Sequence, residues 1–265
     1  MFPVRRFEED FSTLPRWWFG GDPGMTHAIN GMNLVFPDGE RFFIRSVRRY
    51  LDRITDPELR SRVQLFSGQE GQHGAAHERQ FAALESQGFE LESWMRWYRW
   101  AAYEVIEPAA PPILRLAATV ALEHYTASFA RVALETDLLD PADPAMASLL
   151  KWHAAEEVEH RAVAYDVYVA VGGGYFVRVL GLVLATATLL FFWQSGTRHL
   201  MKQEGDLSKK GIALDRTAAR EARARRVKVI REALLSYLRP GFHPDDVDDG
   251  ASAAQYLASI GRLHA

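Results

Sequence analysis

The stretch FSGQEGQHGAAHERQF, residues 66–81, decides how this chain is read. Stepped by threes and fours it lies on one helical stripe: Leu59, Val63, Phe66, Glu70, His73, His77, Phe81, Leu84. The stripe is apolar at both ends and ionisable in the middle. Burying one ionisable side chain is costly, and three in line are costlier, unless something binds them.

Three other helical segments carry a similar interruption. The stripe Glu40, Phe43, Val47, Leu51, Ile54 begins on a glutamate. Ile113, Leu116, Val120, Glu123, Ala127, Ala130, Leu134 holds one glutamate at its centre. Met146, Leu150, His153, Glu157, His160, Ala164, Val167, Val171 repeats the Glu-x-x-His spacing of Glu70 and His73. The order along the chain is therefore E, ExxH, E, ExxH. Glu40 and Glu70 are 30 residues apart, and Glu123 and Glu157 are 34 apart. Near-equal spacing predicts two similar helix pairs related by an approximate two-fold axis, with four carboxylates and two imidazoles meeting between them.

That inventory points to metal. Four glutamates carry four negative charges, which two divalent cations neutralise. Residues three apart share a helix face, so a Glu and a His can reach one ion. Oxygen-rich donors with one imidazole per ion suit iron or manganese better than copper. The expected ligands are Glu40, Glu70, His73, Glu123, Glu157 and His160. His77 reads either as a core histidine or as a seventh ligand. His153 reads as an outer group orienting a ligand rather than as a ligand itself. Glu156 competes with Glu157 for the inward position and is an alternative ligand. His124 reads as structural, and Glu159 as facing solvent or an ion pair. Ala127, Ala130 and Ala164 either leave a cavity beside the metals or allow close helix packing.

Around these segments the pattern is helical, and the fold class is all-α. Residues 1–23, rich in Pro, Gly and Trp, are expected to wrap over the surface. A short helix spans THAINGMNLVF and ends at the turn FPDGE. Asp38 is expected to cap the next helix, which runs to about Arg53. Thr55 or Asp56 as cap, with Pro57 and Glu58 in the first turn, starts a helix that runs to Gln87 and stops at Gly88. A Trp-rich helix (Trp94, Trp97, Trp100) precedes the breaker EPAAPP. Asp143 and Pro144 open a helix expected to continue unbroken to Val171.

The run VLGLVLATATLLFFW, residues 179–193, has no charge, and 19 uncharged residues extend to Thr197. A membrane span needs about 20. Three readings compete: a helix packed on the bundle or a dimer partner, monotopic membrane attachment through 176–201, and a single span. The basic helix after it favours an anionic lipid surface. Residues 1–171 then form the metal-binding unit and 172–265 a helical extension.

Composition narrows the functional classes. With 25% charged residues and a net charge of −3, the 265-residue chain shows no sign of nucleic-acid binding. It has no cysteine, which removes disulfides and thiolate sites and fits a cytoplasmic protein. The first eighteen residues hold no apolar signal core. No Gly-rich fingerprint follows a strand, so no Rossmann cofactor is expected.

Glu40, Glu70, His73, Glu123, Glu157 and His160 together resemble the ferritin-like di-iron carboxylate superfamily. Over nearly the whole chain, FPDGERFF, GQEGQHGAAH, ALEHYTA, WHAAEEVEHRAVAYDVYVAVGGGY and RPGFHP resemble the bacterial family of predicted metal-dependent hydrolases. The superfamily resemblance implies an antiparallel four-helix bundle. It also implies two metal ions, iron first, with manganese or a mixed pair as alternatives. It implies, further, an oxygen-dependent oxidoreductase acting on an organic, apolar small molecule with an external electron donor. A two-metal hydrolase and a non-catalytic iron-handling protein are the other readings.

Overall fold

The computed structural model describes residues 1–207, 216–247 and 250–261. These are all-helical. No strands pair into a sheet among the described residues, and the one bridge joins Phe19 to Ala142.

Aspartate caps written in the sequence start three of the α-helices. Helix α1 (Pro23–Asn33) begins where the Asp22 carboxylate accepts from the amides of Gly24 and Met25. Helix α2 is Phe36–Arg48 and α3 is Pro57–Ser86. The 30 residues of α3 extend about 45 Å. Asp56 caps α3 through the Glu58 amide, and Gly88 (φ +90°) turns the chain away from its end. The Trp-rich segment is α4 (Glu92–Arg99), a π-helical stretch Trp100–Ile106, and one final turn, α5 (Glu107–Ala109). Then come α6 (Pro112–Glu135), α7 (Pro144–His160), α8 (Val163–Ala170), α9 (Tyr175–Gln203), α10 (Arg216–Tyr237) and α11 (Gly250–Ser259).

Five expectations are corrected. FPDGE is not a turn: Pro37 fits the first turn of α2, whose missing amide donor costs nothing there. Asp38 does not cap; its carboxylate accepts from Arg41 and Arg99. Helix α2 ends at Arg48, short of Arg53, and a 3-10 turn, Leu51–Arg53, follows. The helix expected to reach Val171 breaks after His160, giving α7 and α8. The N-terminal residues do not merely drape the surface. Phe7, Phe11 and Trp18 are buried, with Phe7 stacked on Trp152 at 4.9 Å.

Helix α2 packs on α3 and α6, and α7 packs on α6 and α3, so these four enclose one interior. Helix α9 lies along α6 and crosses α1, α10 rests on α6, and α11 rests on α7. One apolar cluster, including Val47, Val63, Phe66 and Leu116, sits at one end of the interior. A second, with Phe7, Met146, Leu149 and Trp152, closes it from the other side.

Helix α9 is long and apolar enough to cross a membrane by length and composition, with 33% of its most apolar window buried. Its inner face carries Leu182, Ala185, Phe192, Trp193 and Leu200, whereas Phe176, Leu180, Val183 and Phe191 are exposed. The arginines of the basic helix at 216, 223, 225 and 226, on which a lipid-facing reading rests, lie outside the described side chains.

Glycine brings α9 close. A Cβ at Gly181 would stand 2.6 Å from the Ala117 carbonyl carbon, and one at Gly31 would stand 2.5 Å from the Thr197 amide nitrogen. On α3, by contrast, Gly71 faces open space. One substitution therefore has opposite signs at two helical sites. Gly71→Ala is expected to stabilise by about 1 kcal/mol, through helix propensity alone. Gly181→Ala is expected to destabilise by about 1–3 kcal/mol, because a backbone has to move. Urea unfolding of the two variants checks this, and shifts of the same sign would refute the close α6–α9 packing.

Candidate metal centre

The four enclosing helices deliver their polar insertions to one place. Glu40 comes from α2, Glu70 and His73 from α3, Glu123 from α6, and Glu157 and His160 from α7, all buried. The structure brings all six together. Among the described residues, three sets of side chains have donor atoms close enough to hold an ion: Glu70, Glu123 and His160; Glu70, His73 and Glu157; and Glu40, His73 and His153.

The arrangement has two ends and a middle. At one end His160 Nε2 lies 3.5 Å from Glu123 Oε2. At the other, His73 groups with Glu40. Glu70 and Glu157 reach both ends. Glu70 is 3.4 Å from His160 Nε2 and 3.7 Å from His73 Nδ1; Glu157 Oε1 is 3.6 Å and 3.4 Å from the same two atoms. Gly74 makes room for Glu40, since a Cβ there would sit 3.0 Å from Glu40 Oε2.

The donors fit metal because protein leaves them unused. Both oxygens of Glu40, Glu70 and Glu123, Oε2 of Glu157, Nδ1 of His73 and Nε2 of His160 are buried with no hydrogen-bond partner. Native interiors rarely leave even one such group unsatisfied. Here nine converge on one space, and cations are what such a donor set takes.

Electrostatics show the same tension. Burial, and then the charge of Glu70, pushes the Glu40 carboxyl well above its ordinary range. Burial, Glu70 and Glu157 do the same to Glu123. Burial also opposes charge on Glu157, but His160 beside it and contacts from His153 and His73 outweigh this and hold it well below. Burial lowers His73 and His160 as well, yet their carboxylate neighbours win and raise both.

The two site histidines point different nitrogens inward. His73 Nε2 donates to Glu156 Oε2 at 3.1 Å, which leaves Nδ1 for the site. His160 Nδ1 donates to Gln69 Oε1 at 3.0 Å, which leaves Nε2. These outer partners fix tautomer and ring orientation. They are themselves tied together. Arg5 donates to Glu156 Oε1 at 3.0 Å and to Glu159 Oε2 at 2.6 Å, and Gln69 Nε2 donates to Glu159 Oε2 and to the Pro3 carbonyl, each at 3.0 Å. A single N-terminal arginine thus stands behind both rings.

The secondary candidates separate. The Glu156 carboxylate lies between Arg5 and the back of His73, outside the three donor sets. Glu159 pairs with Arg5. His153 is in a donor set, with Nε2 2.8 Å from Glu157 Oε1 and 3.8 Å from Glu40 Oε1. His77 Nε2 meets His153 Nδ1 at 2.7 Å and belongs to none of the sets. Burial and the neighbouring imidazoles lower His77, and burial and His73 lower His153. His124 turns away to the Ala233 carbonyl at 2.9 Å. His243 meets Asp166 at 3.2 Å and caps the short 3-10 turn Pro244–Asp246.

Sequence reasoning missed Arg5 and Gln69. Gln69 directly precedes Glu70, so its buried position was readable one residue beside the stripe. Arg5 had no periodic signal, since it sits in an irregular segment.

Two outcomes follow. Glu40, Glu123, His73 and His160 all hold protons above their ordinary ranges without metal, so ions displace protons on binding. Metal affinity is therefore expected to rise with pH, and calorimetric titration in buffers of different ionisation enthalpy should show proton release. A pH-independent affinity would contradict the site. Arg5→Lys and Gln69→Leu are each expected to weaken metal affinity about 10–100-fold. Competition with a chromogenic chelator reads this; unchanged affinity would show that the outer network does not orient the imidazoles.

Neither a search of curated proteins nor one of solved structures finds a match. A family model described as "Predicted metal-dependent hydrolase" does match, over residues 3–248, and the chain belongs to that family.

Proposed function

We propose that this protein is a two-metal hydrolase built on a ferritin-like four-helix bundle. The observation that carries the reading is the paired donor set. Glu40 with His73 would hold one ion, Glu123 with His160 the other, and Glu70 and Glu157 would bridge them. Such a pair supplies Lewis acidity and a bound water of lowered pKa. Iron or manganese suits these donors best.

The chain's own residues do the rest. Glu156 and Gln69 hold the two imidazoles in register. His77 and His153 form a two-ring relay that keeps a proton at His153 Nε2 against Glu157 Oε1. Phe36 lies tilted against His77 and edge-on to His153, each with ring centres 4.9 Å apart, and adds apolar surface beside both rings. Trp152 and Phe66 pack edge-on against His73 and His160, each with ring centres 5.0 Å apart. Low polarity around the donors strengthens every charge interaction among them.

The oxygen-dependent oxidoreductase implied by the superfamily resemblance has no support of its own here, and the family points to hydrolysis instead. Iron handling without catalysis would need no substrate space, yet two apolar cavities open onto the donors.

Protein purified without added metal is expected to carry two divalent ions per chain by elemental analysis. It should hydrolyse an ester panel in anaerobic buffer, and manganese or zinc should restore activity after chelation. Glu70→Gln and Glu157→Gln are each expected to lower kcat/KM by more than about 100-fold. Turnover that requires dioxygen, or a protein that takes up no metal in any preparation, overturns the reading.

A further inference from the structure

Two cavities reach the metal centre, from different directions. The first lies between α2, the π-helical stretch, α6 and α9, with Phe42, Tyr103, Ile106, Leu122, Leu184 and Phe192 in its wall; it meets the centre at Glu40. The second lies between α1, α6 and α7, with Met25, Ile29, Ala133, Leu139 and Leu150 in its wall; it meets the centre at His153 and Glu157. Met32, Phe36, Thr126 and Phe129 belong to both walls. The cavities are therefore two neighbouring arms that flank these four side chains and each reach the donors.

Helix α6 gives the arms their scale. The first is lined from Arg115 to Phe129, about 21 Å of helix, and the second from Thr126 to Ala133, about 10 Å.

Away from the centre, the polar side chains of both arms are already partnered within the protein, including Arg115 with the Ala110 carbonyl and Glu107 with Arg45. In the first, Tyr98 donates to the Val35 carbonyl and pairs with Tyr103, Tyr125 pairs with Thr186, and Thr188 donates to the Leu184 carbonyl. Arg115 and Glu107, at the far end, face each other at 3.9 Å. In the second, Trp193 donates to the Ala28 carbonyl, and Thr126, shared by both, to the Glu123 carbonyl. The unpaired polar atoms are those of the centre itself, Glu40 in one arm and Glu157 Oε2 in the other. A ligand that fits is apolar at both ends and polar in the middle.

From this we infer the substrate class: a carboxylic ester with an apolar group on each side, one arm of the site taking the acyl chain and the other the alkoxy chain. The inference rests on the hydrolytic reading for its chemistry, but its two-armed shape stands on the cavities alone. In the reaction the oxygen of water forms a new bond to the acyl carbon and the acyl carbon–alkoxy oxygen bond breaks. A proton from water passes to the alkoxide, giving one carboxylic acid and one alcohol.

The test is a grid of esters, from acetyl to palmitoyl on one side and from methyl to hexadecyl on the other, given to the metal-loaded protein. Each added methylene is expected to raise kcat/KM about fourfold on both sides, until an arm is full. Leu122→Trp, in the first arm, should flatten the dependence on one side only. Ala133→Phe, in the second, should flatten the other. Leu184→Phe and Ile29→Phe repeat the two arms from facing helices, should either first variant fail to fold. Length dependence on one side only, or both arms acting on the same side, overturns the inference. If no ester is hydrolysed, the hydrolytic reading fails, and dialkyl ethers of the same lengths are then competed against a fluorescent fatty-acid probe. Two-sided length dependence of their binding upholds the two-armed site, and its absence sinks it.

Discussion

Everything near the centre answers one constraint: Glu40, Glu70, Glu123 and Glu157 are buried within reach of one another in an apolar interior. Like charges at such separations cannot all stay ionised without partners. The protein supplies few. Glu157 has the help of three imidazoles, whereas Glu40 and Glu123 are left to hold protons. A fold designed only for stability would place apolar residues at these positions, as the same stripes do one turn away at Phe43, Phe66 and Val120. The helices therefore carry a local cost that metal offsets, and the two apolar clusters on either side of the centre provide the stability that tolerates it.

The outer ring of the site follows from that constraint. Once carboxylates crowd the interior, each imidazole has to be held by its back nitrogen, or it would turn to the nearest oxygen. Glu156 and Gln69 do this with different chemistries, an acidic acceptor for His73 and a neutral amide for His160. A carboxylate behind an imidazole makes it the more basic ligand. The two ExxH motifs look equivalent as sequence, but their rings are not equivalent as donors.

Much of the fold was legible because its signals were local. Asp56 and Asp143 cap where short-range chemistry puts caps, and the stripe of α3 has the period that predicts a helix. The four insertions were legible because ionisable residues on apolar stripes are hard to explain otherwise. What could not be read depends on tertiary contact. Pro37 looked like a turn residue, and only the packed α2 shows it in a first helical turn. The break after His160 has no Pro or Gly to announce it. Arg5 is one arginine among many in the sequence, and its role exists only where the N-terminal segment meets α3 and α7. Of the three glycines around Glu70, two proved to be packing sites: Gly68 against Val4 and Gly74 against Glu40.

The approximate two-fold relation of the sequence is broken on one side. His153 and His77 extend the centre beside Glu40 and Glu157, and Phe36 covers both rings. The opposite side, with Glu123 and His160, is backed by Gln69, Phe2 and Phe66 and touches neither cavity wall. Both cavities thus reach the centre on the side where the extra imidazoles stand. A symmetric four-carboxylate core is enough to hold two ions, but it has no direction. The asymmetry gives it one: Glu123 and His160 lie behind the centre, away from both cavities, whereas Glu40, His153 and Glu157 line them.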